Sequence, residues 1–171
     1  SVYLKRSWSA WDFTLSGRHE VSLLTEQKTT LTRFPELTVD RTGTRLFGTD
    51  LLFKLDASGV GLRREKDNGE FATNRLHLAP ELTLPLSLGN VARILPTASY
   101  DLTWYSEDLD GGETTRQVPT GRVTLEGPRL FRVWDLAGRS FEKLKHLVEP
   151  SIGYVYTPEV DQSTIPQFDS V

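Results

Sequence analysis

The 171-residue sequence predicts an all-β fold, an antiparallel up-and-down meander of the kind that builds a transmembrane β-barrel. Three observations predict it. Apolar and polar residues alternate with period two almost throughout, as a pleated strand with two unlike faces requires. The alternating segments over about residues 44 to 64, 74 to 88 and 117 to 134 exceed the roughly 5–6 residues usual in globular sheets, and reach the roughly 9–11 needed to cross a bilayer at a tilt. Between them, tight turns alternate with longer polar stretches, as in a barrel with short turns at one rim and long loops at the other.

The elements follow in chain order. The opening "SVYLKRSWSAWDF" already reads as strand. Phe13, Leu15, Val21 and Leu23 then oppose Thr14, Ser16, Arg18, Glu20 and Ser22, and Phe47, Leu51, Phe53 and Leu55 form a second apolar set. In "RLHLAPELTLPLSL", Leu76, Leu78, Pro80, Leu82, Leu84 and Leu86 share one face, with His77, Glu81, Thr83 and Ser87 on the other. A helix would scatter those leucines around its circumference. Ala98, Tyr100, Leu102 and Trp104 repeat the pattern against Thr97, Ser99, Asp101 and Thr103. "RSFEKLKHLVEP" fits a short amphipathic helix in composition, but its phase runs into Val148, so it reads as strand. Val148, Pro150, Ile152, Tyr154 and Tyr156 then line one face. In a barrel the leucine faces meet lipid, and His77, Glu81, Thr83 and Asp101 face the lumen.

The turns are "DRTGT" around Gly43, "LGN" at Gly89 and Asn90, and "DLAGR" around Gly138. The longer stretches are "TEQKTTL", "EKDNGEFATN", "SEDLDGGETTR" and "PEVDQSTIPQFDS". Up-and-down order then gives about seven or eight strands, with Gly43, Asn90 and Gly138 at one rim and Gly69, Gly112 and Gln162 at the other. Trp8, Trp11, Trp104, Tyr105, Trp134 and Tyr156 lie near segment ends, where interfacial girdles would place them; singly, each also suits an ordinary core or rim position. Pro80, Pro85, Pro96, Pro119 and Pro150 run against a continuous ladder, since proline is confined to edges, first positions and bulges. A bulge or local distortion is expected at Pro80 and Pro85.

Composition excludes several classes. A 37% hydrophobic share and a net charge of −3 do not suggest a nucleic-acid binder. The absence of cysteine excludes disulfides and thiolate chemistry. No run approaches the roughly 18 apolar residues of a membrane-spanning helix, a test that strands escape. No signal peptide is visible, and the whole of 1–171 reads as one internal segment of a larger barrel, not a complete domain. His19, His77 and His146 match no metal-ligand spacing, and there is no nucleophile elbow or phosphate-binding loop. "EDLDGGE", with Asp108, Asp110 and Glu113, lacks the ligand series of a calcium loop. No catalytic, cofactor-binding or metal-binding residue is expected, and the chain is not read as an enzyme.

The end of the chain carries more specific information. "LVEPSIGYVYTPEVDQSTIPQFD" resembles the signature of the LptD family of lipopolysaccharide-assembly proteins, also called organic solvent tolerance proteins. The matching residues are Glu149, Pro150, Tyr154, Tyr156, Pro158, Asp161, Gln162, Ser163, Ile165, Pro166, Phe168 and Asp169. Upstream, "RFPELTVD" and "NRLHLAPELTLPLSL" are similar to other strands of the family. The chain departs from the pattern at Leu147 and Val148, where threonine and leucine are frequent, and at Glu159 and Val160, where aromatic and basic residues are common.

The resemblance implies a segment from the middle of a large outer-membrane barrel in a Gram-negative bacterium, away from the lateral exit between first and last strands. It also implies that the whole protein receives lipopolysaccharide from periplasmic bridge proteins, through regions outside this segment, and inserts it into the outer leaflet. An LptE-like lipoprotein would plug the lumen. No cofactor is implied. Two other readings remain open. Another outer-membrane barrel, porin or phospholipase-like, would share the strand pattern but has no need of the D-Q-S run. A soluble β-sandwich binding module would have to pack its leucine faces on one another, and would bring more evenly sized loops.

Overall fold

A computed structural model describes residues 1–22, 29–66, 69–107, 111–135 and 143–160. Its strands are β1 (Val2–Trp8), β2 (Trp11–Ser22), β3 (Thr29–Arg45), β4 (Leu52–Lys66), β5 (Gly69–Thr83), β6 (Leu86–Leu88), β7 (Ala92–Tyr105), β8 (Thr114–Glu126), β9 (Leu130–Asp135), β10 (Lys143–Val148) and β11 (Ser151–Tyr156). Among the described residues there is no helix. The main sheet runs β1-β2-β3-β4-β5-β7-β8-β11 with β6 also paired to β7, and every pairing is antiparallel. It is open, with β1 and β11 at its two edges.

Prolines interrupt the ladder where a missing N–H demands it. Pro80 pairs with Leu55 of β4, but on the β7 side the ladder skips from Leu78↔Leu102 to Glu81↔Ser99. At Leu84–Pro85 the strand stops, and β6 resumes against β7 in the same register. The distortion expected at Pro80 and Pro85 is therefore present. A second break separates β8 from β9 and β10 from β11. Glu126 faces Ser151 and Leu130 faces Val148, so the four pieces form one long hairpin interrupted around Pro128 and Pro150. The Gly127 N–H donates to the Pro150 carbonyl across the break (2.8 Å). The sequence pattern had joined Val148 to Ile152 in one strand, whereas Val148 belongs to a separate two-stranded sheet.

Strand β3 carries two bulges. Its register with β4 shifts between Arg33 and Glu36 and again between Arg41 and Thr44. At the first, residues 34 and 35 oppose Gly17 on β2 and Gly61 on β4, so β3 holds one extra residue. The glycines are sterically required there. A Cβ on Gly61 would lie 2.6 Å from the Phe34 carbonyl oxygen, and one on Gly17 would lie 2.7 Å from the Phe34 ring. The bulge reverses parity, so Leu31 and Leu37, both odd-numbered, project from opposite faces.

Three expectations about connections are corrected. Gly43 is not a turn; it lies in β3 at the second bulge, and the chain reverses over 46–51, where Phe47 and Gly48 have positive φ of 50° and 75°. The segment predicted over 44 to 64 is thus cut by this turn. "EKDNGEFATN" is not a long loop, because Lys66 pairs with Gly69 and only residues 67–68 separate β4 from β5. Glu65, Glu70 and Asn74 belong to strands there, and composition alone cannot distinguish such polar strand residues from loop. Strict alternation of long and short connections does not hold. The turn at Gly89, with φ of 59°, is where the sequence puts it. Gly138, Asp108, Asp110 and Gln162 lie outside the described residues.

Candidate functional site

The two faces of the main sheet differ in chemistry as sharply as the period-two pattern suggests. On β4, Lys54, Asp56, Ser58, Val60 and Leu62 share one face, with Phe53, Leu55, Ala57 and Gly59 on the other. The registers carry each face across the sheet.

One polar-face row contains Ser7, Asp12, Asp40, Asp56 and Ala79, so three aspartates stand directly opposite one another on consecutive strands. Lysines partly neutralise them. Lys5 lies 3.5 Å from Asp12, and Lys54 lies 2.8 Å from Asp56. The next row runs Lys5, Thr14, Thr38, Ser58, His77, Thr103 and Arg116. Here His77 Nδ1 hydrogen-bonds Thr103 Oγ1 (3.0 Å), Thr103 donates to Asp101 (3.3 Å), and Arg116 pairs with the same carboxylate (3.5 Å). Thr83 and Thr97 join their hydroxyls at 2.9 Å. His77, Glu81, Thr83 and Asp101, predicted to share the polar side, all project from this face.

Burial is one-sided. Leu31, Val60, Leu62, Thr73, Thr103, Tyr105 and Val118 are the buried side chains among the described residues, and all project from the polar face. A sheet curled toward that face would bury its side chains in this way. Leu31, Val60 and Leu62, with Phe71 packed against them, form a small apolar cluster there. Tyr105 belongs to this buried set, so it is not the interfacial girdle residue its position suggested.

The opposite face is apolar and open. Its rows read Leu4, Leu15, Leu37, Gly59, Leu76 and Trp104, then Arg6, Phe13, Val39, Ala57, Leu78 and Leu102. Toward β11 it continues through Ala98, Val123, Leu125, Ile152, Tyr154 and Tyr156. Leu76, Leu78, Leu82, Leu84 and Leu86 are all exposed, and Tyr154 is 68% exposed. An apolar surface of this extent marks a face that meets something other than water.

At one end of this face Trp8, Trp11, Arg41 and Leu55 share a row. Trp11 stacks on Phe13 (6.3 Å between centroids), and the Arg41 guanidinium lies 5.5 Å from the Trp11 ring and 4.8 Å from the Phe53 ring. The sequence reading did not single out Arg41. The second β3 bulge, next to a glycine inside an alternating run, was the available signal.

The signature residues divide between described and undescribed parts. Glu149 pairs with Arg129 at 2.6 Å, Pro150 sits at the hairpin break, and Tyr154 and Tyr156 lie on the apolar face of β11. Pro158 follows β11. Asp161, Gln162, Ser163, Ile165, Pro166, Phe168 and Asp169 lie outside the described residues.

Similarity to known proteins runs the length of the chain. It is 28% identical over 171 residues to the LPS-assembly protein LptD of Aliivibrio fischeri, covering 91% of this chain and 20% of that protein. The LPS-assembly protein LptD of Pseudoalteromonas atlantica is 29% identical over 164 residues, covering 93% and 20%. That of Pseudomonas savastanoi pv. phaseolicola is 32% identical over 126 residues, covering 68% and 13%. The chain thus spans about a fifth of the length of the first two relatives, at 20% of each. The profile of the family described as LptD, LPS transport system D, matches residues 2–171, and the chain belongs to that family.

Proposed function

We propose that residues 1–171 form part of the wall of an outer-membrane β-barrel in a Gram-negative bacterium, within a protein that inserts lipopolysaccharide into the outer leaflet. The opposition of the two faces carries this reading. Strands that alternate apolar-out and polar-in are what a bilayer-spanning barrel requires, and the leucine face has the exposure that lipid contact demands. His77, Glu81, Thr83 and Asp101 then face the lumen, and Trp8, Trp11 and Trp104 mark the levels of the membrane interfaces.

The open edges at β1 and β11 fit a segment whose neighbours continue the wall on both sides. On this reading the segment serves as scaffold, and lipopolysaccharide, an LptE-like plug and the periplasmic bridge proteins are partners of the complete protein. Replacing the chromosomal copy with one carrying Leu82→Arg tests the assignment. Lipopolysaccharide at the cell surface should fall with Leu82→Arg and persist with Thr83→Arg; equal tolerance of both would contradict it.

A further inference from the structure

On the apolar face, a furrow runs along β4. Its floor is Ala57 and Gly59, and its walls are Leu37 and Val39 of β3 and Leu76 and Leu78 of β5. It encloses about 460 Å³, within the roughly 300–1,000 Å³ of small-molecule sites. Beyond Gly59 the Phe34 backbone is pressed against Gly61. Arg41 follows Leu37 and Val39 on the same face, one row beyond the lining at the other end. From Leu55 to Gly61 a strand rises roughly 20 Å at about 3.3 Å per residue. Tilted at about 45°, that is roughly 14 Å, close to half of the roughly 30 Å hydrocarbon core.

Arg41 is unusual on such a face. Aromatic rings approach its guanidinium from Trp11 and Phe53, one N–H group donates to Thr44 (3.1 Å), and its buried Nε has no hydrogen-bond partner. Among the described residues it has no carboxylate partner, and Arg6 adds a second positive charge one row away. A cation held at the interface by aromatic rings, with an unfilled donor, is matched by an anionic oxygen, and the planar guanidinium fits phosphate.

We infer that this furrow is a binding site for an anionic glycerophospholipid, with the phosphate on Arg41 and one acyl chain along Ala57 and Gly59. The inference rests on the lipid-facing assignment of the apolar face. The turns at Ser9–Ala10, 46–51 and Gly89 share the Arg41 end of the sheet, and with that rim in the periplasm the headgroup lies in the periplasmic leaflet. The lipid would act as a fixed element of the wall.

A photocrosslinking p-benzoylphenylalanine in place of Leu78, in the full-length protein within native outer membranes, tests this. Adducts are identified by mass spectrometry. Anionic phospholipid should exceed its share of the membrane, and Arg41→Gln should lower that enrichment about tenfold while Arg41→Lys retains much of it. Ala57→Leu, which fills the floor and leaves the charge, should also reduce the adduct. Lipid adducts that mirror bulk composition and ignore Arg41→Gln would overturn the site while leaving the barrel wall intact. A lipopolysaccharide adduct would overturn the leaflet and the ligand. Absence of any lipid adduct would overturn the lipid-facing assignment itself.

Discussion

At the scale of single residues, the glycines around the first β3 bulge are the sharpest constraint. Gly61→Ala sets a methyl group 2.6 Å from the Phe34 carbonyl, a backbone atom that cannot turn aside. We expect a loss of about 1–3 kcal/mol, the usual cost of overpacking, in denaturant unfolding of the full-length protein in detergent. Gly17→Ala meets the Phe34 ring instead, and that side chain, 69% exposed, can swing away. It should cost less. The opposite ranking would show that the bulge is placed wrongly. The aspartate row makes a second prediction. Asp40 stands between Asp12 and Asp56, and like charges directly opposite one another destabilise a sheet. Asp40→Asn should raise stability by about 0.2–1 kcal/mol in the same assay, whereas a clear loss would mean that the carboxylate makes an interaction of its own. Neither feature was legible in the sequence. Both depend on which residues of distant strands fall opposite one another, and bulges set that register.

At the scale of elements, β5 is the best test of the two-face reading. Leu82 and Thr83 are adjacent at the C-terminal end of β5 and project from opposite faces. A lipid-facing arginine in a barrel strand carries a depth-dependent penalty, about 2–4 kcal/mol at the bilayer midplane and less toward an interface, and a lumen-facing arginine costs far less. In folding titrations of the full-length protein into bilayers, Leu82→Arg should cost more than Thr83→Arg; similar costs would contradict the assignment of the faces. The alternation in "RLHLAPELTLPLSL" was readable because β5 has no bulge against β4, so every side chain keeps its parity. The β3 strand was not readable in that way. Its two extra residues reverse parity twice, and a period count through Phe34, Pro35 and Gly43 cannot follow the switch. Connections failed for a different reason. The polar residues Glu65, Lys66 and Glu70 belong to strand ends, and the turn at 46–51 carries apolar Phe47, so polarity marked neither.

At the scale of the whole molecule, the segment has an open sheet, two unpaired edges and a broad exposed apolar face. Unpaired edge groups are templates for other strands, and a soluble monomer seldom tolerates so large an apolar patch. Residues 1–171 alone should therefore sediment as oligomers or aggregates in detergent-free buffer. A monodisperse monomer with a cooperative unfolding transition would favour a soluble sandwich. The central claim is that the leucine face of this sheet meets lipid. Site-directed spin labels at residues 76, 77, 78, 81, 82 and 83 of the full-length protein in bilayers test it most directly, through collision with oxygen, which concentrates in lipid, and with a water-soluble nickel chelate. Oxygen accessibility should dominate at 76, 78 and 82 and nickel accessibility at 77, 81 and 83. Uniform nickel accessibility along the strand, or the reverse phase, would contradict the account.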